Sequence, residues 1–291
     1  MDTHANAERF AAEVRDVAGS HGRVAVERVA PTAHRALESC SLEVVDAEPV
    51  VELARSIKSA EELACMRHSI AVAEAGMDAM RDVLRPGVTE NEVWAKLHQT
   101  NIANDGDWID GRMPSSGPRT NPWYQEASDR VIQAGELVAF DPDMIGPFGY
   151  CADISRTWLV GDGVPTALQR DRCRRAAAEI EHNAALLGPG LSFRELSEKA
   201  YRQDEEFITN RYACLAHGVG MTDEYPKIYY RSDWDRHGYD GVLDANMVMC
   251  IESFVGSEEG GPGVKLEQMW LVGEHRNELL SRYPLESQLL A

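Results

Sequence analysis

The sequence predicts an α/β protein whose main part is built twice, as two helix-then-strand halves facing each other across a cleft. Three observations carry that expectation. Apolar residues recur at three- and four-residue spacing through "SIKSAEELACMRHSIAVAEAGMDAMRDVL" (56–84), the mark of a long amphipathic helix. The frame Pro-Gly-apolar-Ser/Thr-x-x-Glu-apolar occurs twice, as "PGVTENEV" (86–93) and "PGLSFREL" (189–196). Each copy follows a long helix and precedes a helix and then apolar strands, as a duplication would.

Taken in order, residues 1–55 alternate short patterns: a helix at 6–18, "RVAVE" as a strand, a helix at 31–39 and "LEVV" as a strand. Four such elements are too few to close a doubly covered sheet. They read as the tail of an α/β domain, with a second domain at 56–291. The long helix breaks at Pro86-Gly87. In the two repeated frames Thr89 and Ser192 can cap a helix while Glu92 and Glu195 reach back, forming capping boxes. Strands are expected at 136–143, 150–159, near 212–217, 246–255 and 263–272. "GSEEGGPG" (256–263) should join the last two as a hairpin, its glycines supplying positive φ.

The composition excludes some functions. The chain has 291 residues, is 44% hydrophobic and carries a formal net charge of −19. That charge repels nucleic acid and anionic membrane, so neither is an expected partner. Cys40, Cys65, Cys151, Cys173, Cys214 and Cys250 are scattered without a C-x-x-C pair, which suits reduced thiols in a cytoplasmic protein. The start lacks the apolar core of a signal peptide, and no segment approaches a membrane span.

The chemistry lies in acids on apolar strands. Asp141 and Asp143 follow Leu137-Val138-Ala139-Phe140, and strand alternation would point both the same way. The loop "MIGPFG" returns the chain and can bring Asp153 opposite them. Glu252 interrupts "MVMCIES", Glu267 interrupts "VKLEQMWLV", and His217 lies in "LAHGVG", whose glycines allow close backbone approach. Singly, each has an ordinary reading as a solvent-facing acid or a satisfied core histidine. Together, five carboxylates and one imidazole suit divalent cations, and exceed what one ion needs. They suit two ions about 3.5–4 Å apart, bridged by shared carboxylates.

From about Ile57 to Leu280 the chain resembles the pita-bread-fold metallohydrolases, which include methionine aminopeptidase, Xaa-Pro peptidases and creatinase. The motifs that carry the likeness are "IKSAEEL", "ADISRTW", "HGVG" and "VKLE". The resemblance implies a pseudo-twofold catalytic domain with a curved antiparallel sheet and outer helices. It implies the metal ligands Asp141, Asp153, His217, Glu252 and Glu267, and two divalent ions (iron, manganese, cobalt or zinc). It also makes residues 1–55 a remnant of a creatinase-type N-terminal domain, and implies a homodimer.

Three departures bear on the activity. Asp141-Pro142-Asp143 has a third aspartate where peptidases carry Asp-x-Gly. "GPRTNPWY" has Trp123 where they carry a histidine, and "HGVGMTDEYP" has Asp223 where they carry a second one. This combination is similar to the dimethylsulfoniopropionate (DMSP) lyase branch of the fold. That likeness implies Asp143 as a further ligand, Asp223 as catalytic base and Tyr212 as a substrate contact. Loss of a proton alpha to a carboxylate, with expulsion of dimethyl sulfide, needs such a base, and a dry cleft would raise its pKa for the task. The sulfonium group of this zwitterion suits aromatic faces, with Trp123 a second candidate. The alternatives are an Xaa-Pro-type peptidase or creatinase-like hydrolase acting on short peptides, and a non-catalytic peptide-binding relative.

Overall fold

Helices in this protein repeatedly start on one local device. Ser59, Thr89, Thr166 and Ser192 each accept a hydrogen bond from the backbone N–H three residues on, and the Glu or Gln there accepts one from the cap's own N–H. Each box satisfies two donors that a helix N-terminus leaves over. The computed structural model describes residues 3–19 and 22–291. The chain divides into two compact units, residues 1–55 and 56–291.

The first unit is α1 (Thr3–Ala18), β1 (Arg23–Val26), α2 (Pro31–Ser39), β2 (Glu43–Asp46) and α3 (Glu48–Ser56). β1 and β2 pair in parallel with Val24 opposite Val44, which is why a helix must cross between them. Ala7, Ala11, Ala36, Leu37 and Leu42 form its small core. α3 is not among the expected elements, because its Val50 and Leu53 are exposed and give no buried stripe. Pro49 in its first turn was the available signal.

The second unit opens with α4 (Ala60–Val83) and α5 (Glu90–Ala103), packed on each other, then β3 (Trp108–Ile109), β4 (Ser115–Ser116), β5 (Leu137–Phe140), β6 (Met144–Ile145), β7 (Cys151–Ala152) and β8 (Arg156–Leu159). Its second half repeats the plan. α6 (Ala167–Leu186), α7 (Phe193–Lys199) and α8 (Glu205–Ile208) precede β9 (Ala216–Val219), β10 (Asp223–Ile228), α9 (Trp234–His237), β11 (Val248–Ser257) and β12 (Gly260–Leu271). β13 (Glu278–Leu279) and α10 (Ser287–Leu290) end the chain. The strands form antiparallel sheets in the orders β10-β9-β11-β12-β13, β3-β6-β7 and β4-β5-β8. α4 and α5 enclose one core with the first strands, and α6 covers β11 and β12 over a second.

The duplication extends to backbone hydrogen bonds. Gly87 donates to Ile132, Ile132 to Val88, and Glu90 to Arg130; at the second frame Gly190 donates to Leu243, Leu243 to Leu191, and Phe193 to Gly241. Both frames are therefore held against a later segment of their own half in the same way.

Several strand expectations are corrected. The strand expected at 136–143 stops at Phe140, because Pro142 has no N–H for the ladder and Asp143 takes φ +39°. Alternation along one strand therefore does not orient Asp141 and Asp143. The span 150–159 is broken between β7 and β8, and the strand near 212–217 begins only at Ala216. Residues 256–263 are mostly strand, with the turn confined to Glu258 and Glu259; only Gly260 (φ +98°) and Gly261 (φ +82°) use the left-handed freedom expected there. All six cysteines are free thiols. Among the described residues no helix is long and apolar enough to cross a membrane.

Candidate metal centre

Sheet register assembles half of the site. Glu252 of β11 stands opposite Glu267 of β12, and Cys250 stands opposite His217 of β9. Opposed residues share a face, as do residues two apart, so His217, Cys250, Glu252, Lys265 and Glu267 all point one way. Glycine is required beside His217: a Cβ on Gly218 would lie 2.2 Å from the Tyr225 carbonyl oxygen. The broken first half supplies the rest, Asp141 just past β5, Asp143 in the bend, and Asp153 and Ser155 between β7 and β8.

Asp141, Asp153, His217, Glu252 and Glu267 are buried, and Asp143 is half-buried. His217 Nδ1 lies 3.0 Å from the Gly218 carbonyl oxygen, which turns Nε2 toward Glu252 (3.3 Å), Glu267 (3.5 Å) and Asp153 (3.7 Å). At the other end Lys265 Nζ contacts Glu252 (2.7 Å), Asp141 (3.0 Å) and Glu267 (3.3 Å). It also donates to Ser155 Oγ at 2.7 Å, and the one Ser155 hydroxyl proton is shared between Asp141 and Glu267, whose oxygens lie 2.7 and 2.9 Å away.

Burial and mutual repulsion dominate the electrostatics. Burial pushes Asp141, Asp143 and Asp153 up, with further lift from neighbouring acids, and raises Glu252 to about 7. Glu267 goes the other way. Burial opposes its charge, but Lys265 and His217 outweigh it and hold the carboxyl well below its usual range. Burial likewise works against charge on His217, and is overcome by Asp223, Glu252 and Glu267.

This donor set fits divalent cations. Among the described residues, five carboxylates face one ammonium and one imidazole, and Asp153 Oδ1 and Glu267 Oε1 are buried without a hydrogen-bond partner, although His217 Nε2 stands 3.5 Å from Glu267 Oε1. Buried acceptors left so are costly unless a cation meets them. Potential ligand atoms fall into three overlapping groups, within each of which they lie no more than 4.8 Å apart: Asp141, Asp143 and Asp153; Asp141, Glu252 and Glu267; and Asp153, His217, Cys250 and Glu267. All six residues named as ligands on sequence grounds thus come together.

Asp223 lies at the start of β10, with its carboxylate 3.8 Å from His217 Nδ1 and its side chain 48% exposed. It stands opposite Val219 on the edge strand β10, on the same face as His217 and half-exposed at the rim of the cluster. Tyr212 is half-buried and meets the Lys265 ammonium face-on at 4.5 Å. Trp123 is buried against Ala139 and Phe254, with Lys265 5.7 Å from its ring. Its ring is buried, and Tyr124, not among the expected contacts, is the exposed ring stacked on Tyr212 at 5.8 Å. Lys265 and Ser155 were also missed as members of the cluster. Their signal was the period of two before Glu267 and after Asp153 in "VKLE" and "ADIS".

Known proteins share this architecture. Dimethylsulfoniopropionate lyase DddP of Roseovarius nubinhibens is 40% identical over 98% of this chain, and that of Roseobacter denitrificans is 38% identical over the same share. The chain spans 66% of the length of each of these curated relatives, just under two thirds. Xaa-Pro dipeptidase of Pyrococcus furiosus is 28% identical over 81% of this chain and 66% of its own. Among solved structures, Xaa-Pro dipeptidase from Bacillus anthracis superposes with a TM-score of 0.81 at 24% identity, covering 96% of this chain and 77% of its own. Prolidase from Pyrococcus furiosus gives 0.76 at 24% identity, covering 92% and 79%. These structural likenesses establish the pita-bread fold. Residues 64–274 match the metallopeptidase family M24, and the chain belongs to that family.

Proposed function

We propose that this chain cleaves dimethylsulfoniopropionate to dimethyl sulfide and acrylate by β-elimination, with Asp223 as the base. The observation that carries the reading is Asp223 itself. It is a half-exposed carboxylate at the rim of a buried acid cluster, and its one ion-pair contact among the described residues is His217. The two relatives at 40% and 38% identity are dimethylsulfoniopropionate lyases, which supports the same substrate.

Asp141, Asp143, Asp153, His217, Glu252 and Glu267 would hold a pair of divalent ions, which when bound withdraw charge from the substrate carboxylate and make its α-proton removable. Asp223 takes that proton. The C–H electron pair becomes the second bond of the alkene, the Cβ–S bond breaks with its pair on sulfur, and neutral dimethyl sulfide leaves. The exposed edge of Asp223 passes the proton to water. Tyr124 offers its exposed ring to the sulfonium group, with Tyr212, whose own face meets Lys265, stacked against it and Trp123 behind. The reading includes a homodimer in a reducing, cytoplasmic setting, which sedimentation and localisation would check.

The test is to incubate metal-analysed protein with DMSP and, separately, with an Ala-Pro peptide. Dimethyl sulfide in the headspace, lost on chelation and without free amine from the peptide, is the expected result. Peptide cleavage alone would overturn it in favour of an Xaa-Pro peptidase. Silence from both, with two ions bound, would sink the lyase reading for this chain.

A further inference from the structure

We infer that Cys250 is a sulfur ligand to the ion at the His217 end of the cluster, and that it biases this position toward iron, cobalt or zinc over manganese or magnesium. The inference rests on the proposed metal reading and deepens it.

The argument begins with register. Cys250 is flanked across the sheet by His217 on β9 and Met269 on β12, and lies two residues from Glu252 on the same strand. Its sulfur therefore stands in the row of His217, on the ligand face. The ligand atoms of Asp153, His217, Cys250 and Glu267 lie within 4.8 Å of one another, and all four residues are buried. Met269 is the other sulfur in that row, but its Sδ already accepts from the Asp153 N–H at 3.4 Å. Cys250 is the sulfur available to an ion.

A second observation places the ion there. Asp153 Oδ1 and Glu267 Oε1, the two buried carboxylate oxygens without a hydrogen-bond partner among the described residues, both belong to this group. The opposite group, Asp141, Glu252 and Glu267, already faces the Lys265 ammonium. Those two oxygens call for an outside cation beside the thiol, with His217 Nε2 standing 3.5 Å from Glu267 Oε1. On binding, the S–H bond breaks, a sulfur–metal bond forms, and the proton leaves to water, so no oxidant or reductant is needed. Oxygen ligands alone suit manganese and magnesium, whereas a thiolate adds affinity for softer ions.

The test uses the full chain, stripped by chelator and titrated with Co²⁺, with bound metal counted independently. The expected result is a near-ultraviolet sulfur-to-cobalt charge-transfer band that appears with the first equivalent. Cys250→Ala and Cys250→Ser should abolish the band while cobalt still binds, and Cys151→Ala, the neighbouring buried thiol, should keep it. Competition should show Zn²⁺ affinity falling about tenfold or more in Cys250→Ala, with Mn²⁺ affinity nearly unchanged. Cobalt bound to the wild-type chain without the band, or a band that survives in both Cys250 variants, would overturn the inference and leave the metal reading standing. No cobalt bound at all would overturn the metal reading itself.

Discussion

The two hairpins that carry the acidic residues differ in continuity. β11 and β12 run 10 and 12 residues unbroken and set Glu252 directly opposite Glu267. Their counterpart in the first half is divided among β5, β6, β7 and β8, of 4, 2, 2 and 4 residues. The unbroken hairpin brings its own cation, Lys265, to Asp141, Glu252 and Glu267. The broken one bends at Pro142 and leaves Asp143 and Asp153 without a Lys or Arg in contact among the described residues. An intact ladder leaves room for a long side chain beside the acids it pairs. A broken ladder frees a carboxylate to turn inward, and there the positive charge must come from outside.

The largest expected effect tests the rim of that cation-poor end. Asp223→Asn should lower DMSP turnover by about a hundred- to ten-thousand-fold while metal content stays at the wild-type level. Metal lost in equal measure would make Asp223 structural. Next comes the cation-bearing end. In metal-free protein Lys265→Met should lower stability by about 3–5 kcal/mol in urea unfolding, because three buried acids lose their ammonium, and added divalent metal should narrow the gap. An unchanged urea midpoint would show that Lys265 contributes nothing net there.

A third prediction uses pH. Glu179 on α6 is buried beneath β11, accepts from Ser253 Oγ and Gln203 Nε2, and is raised by burial from 4.5 to about 7. Between those values the folded chain holds a proton that the unfolded chain has released, so stability falls as pH rises through the window. Glu179→Gln should remove a decline of about 3 kcal/mol, read as urea midpoints of metal-loaded protein below and above it. A wild-type slope surviving in the variant would assign the proton elsewhere. The smallest effect belongs to the bend. Glycine adopts φ +39° readily, so Asp143→Gly should leave the backbone intact and weaken metal retention by about tenfold. Unchanged occupancy would make the third aspartate a bystander.

Much of this was legible in the sequence, because it depends on local rules. The repeated Pro-Gly frames and their capping boxes identified the duplication before any contact was known, since a cap involves only residues three apart. The six acidic and imidazole residues stood out because charge inside an apolar strand is costly wherever it occurs. The breaks in the first hairpin were harder to read. Apolar runs on both sides of "DPD" look like strand, and only the pairing partners decide where a ladder ends.

Periodicity, capping and burial cost are properties of short stretches, and they dictate the halves, the α/β class and which acids require a counter-charge. It takes the assembled fold to set Lys265 among Asp141, Glu252 and Glu267, to leave Tyr124 and not Trp123 with an open ring, and to bring Cys250 into a row with His217. The places of Lys265 and Cys250 depend on register between strands, where a shift of one residue would turn either side chain to the other face, and the exposure of Tyr124 depends on how its loop packs.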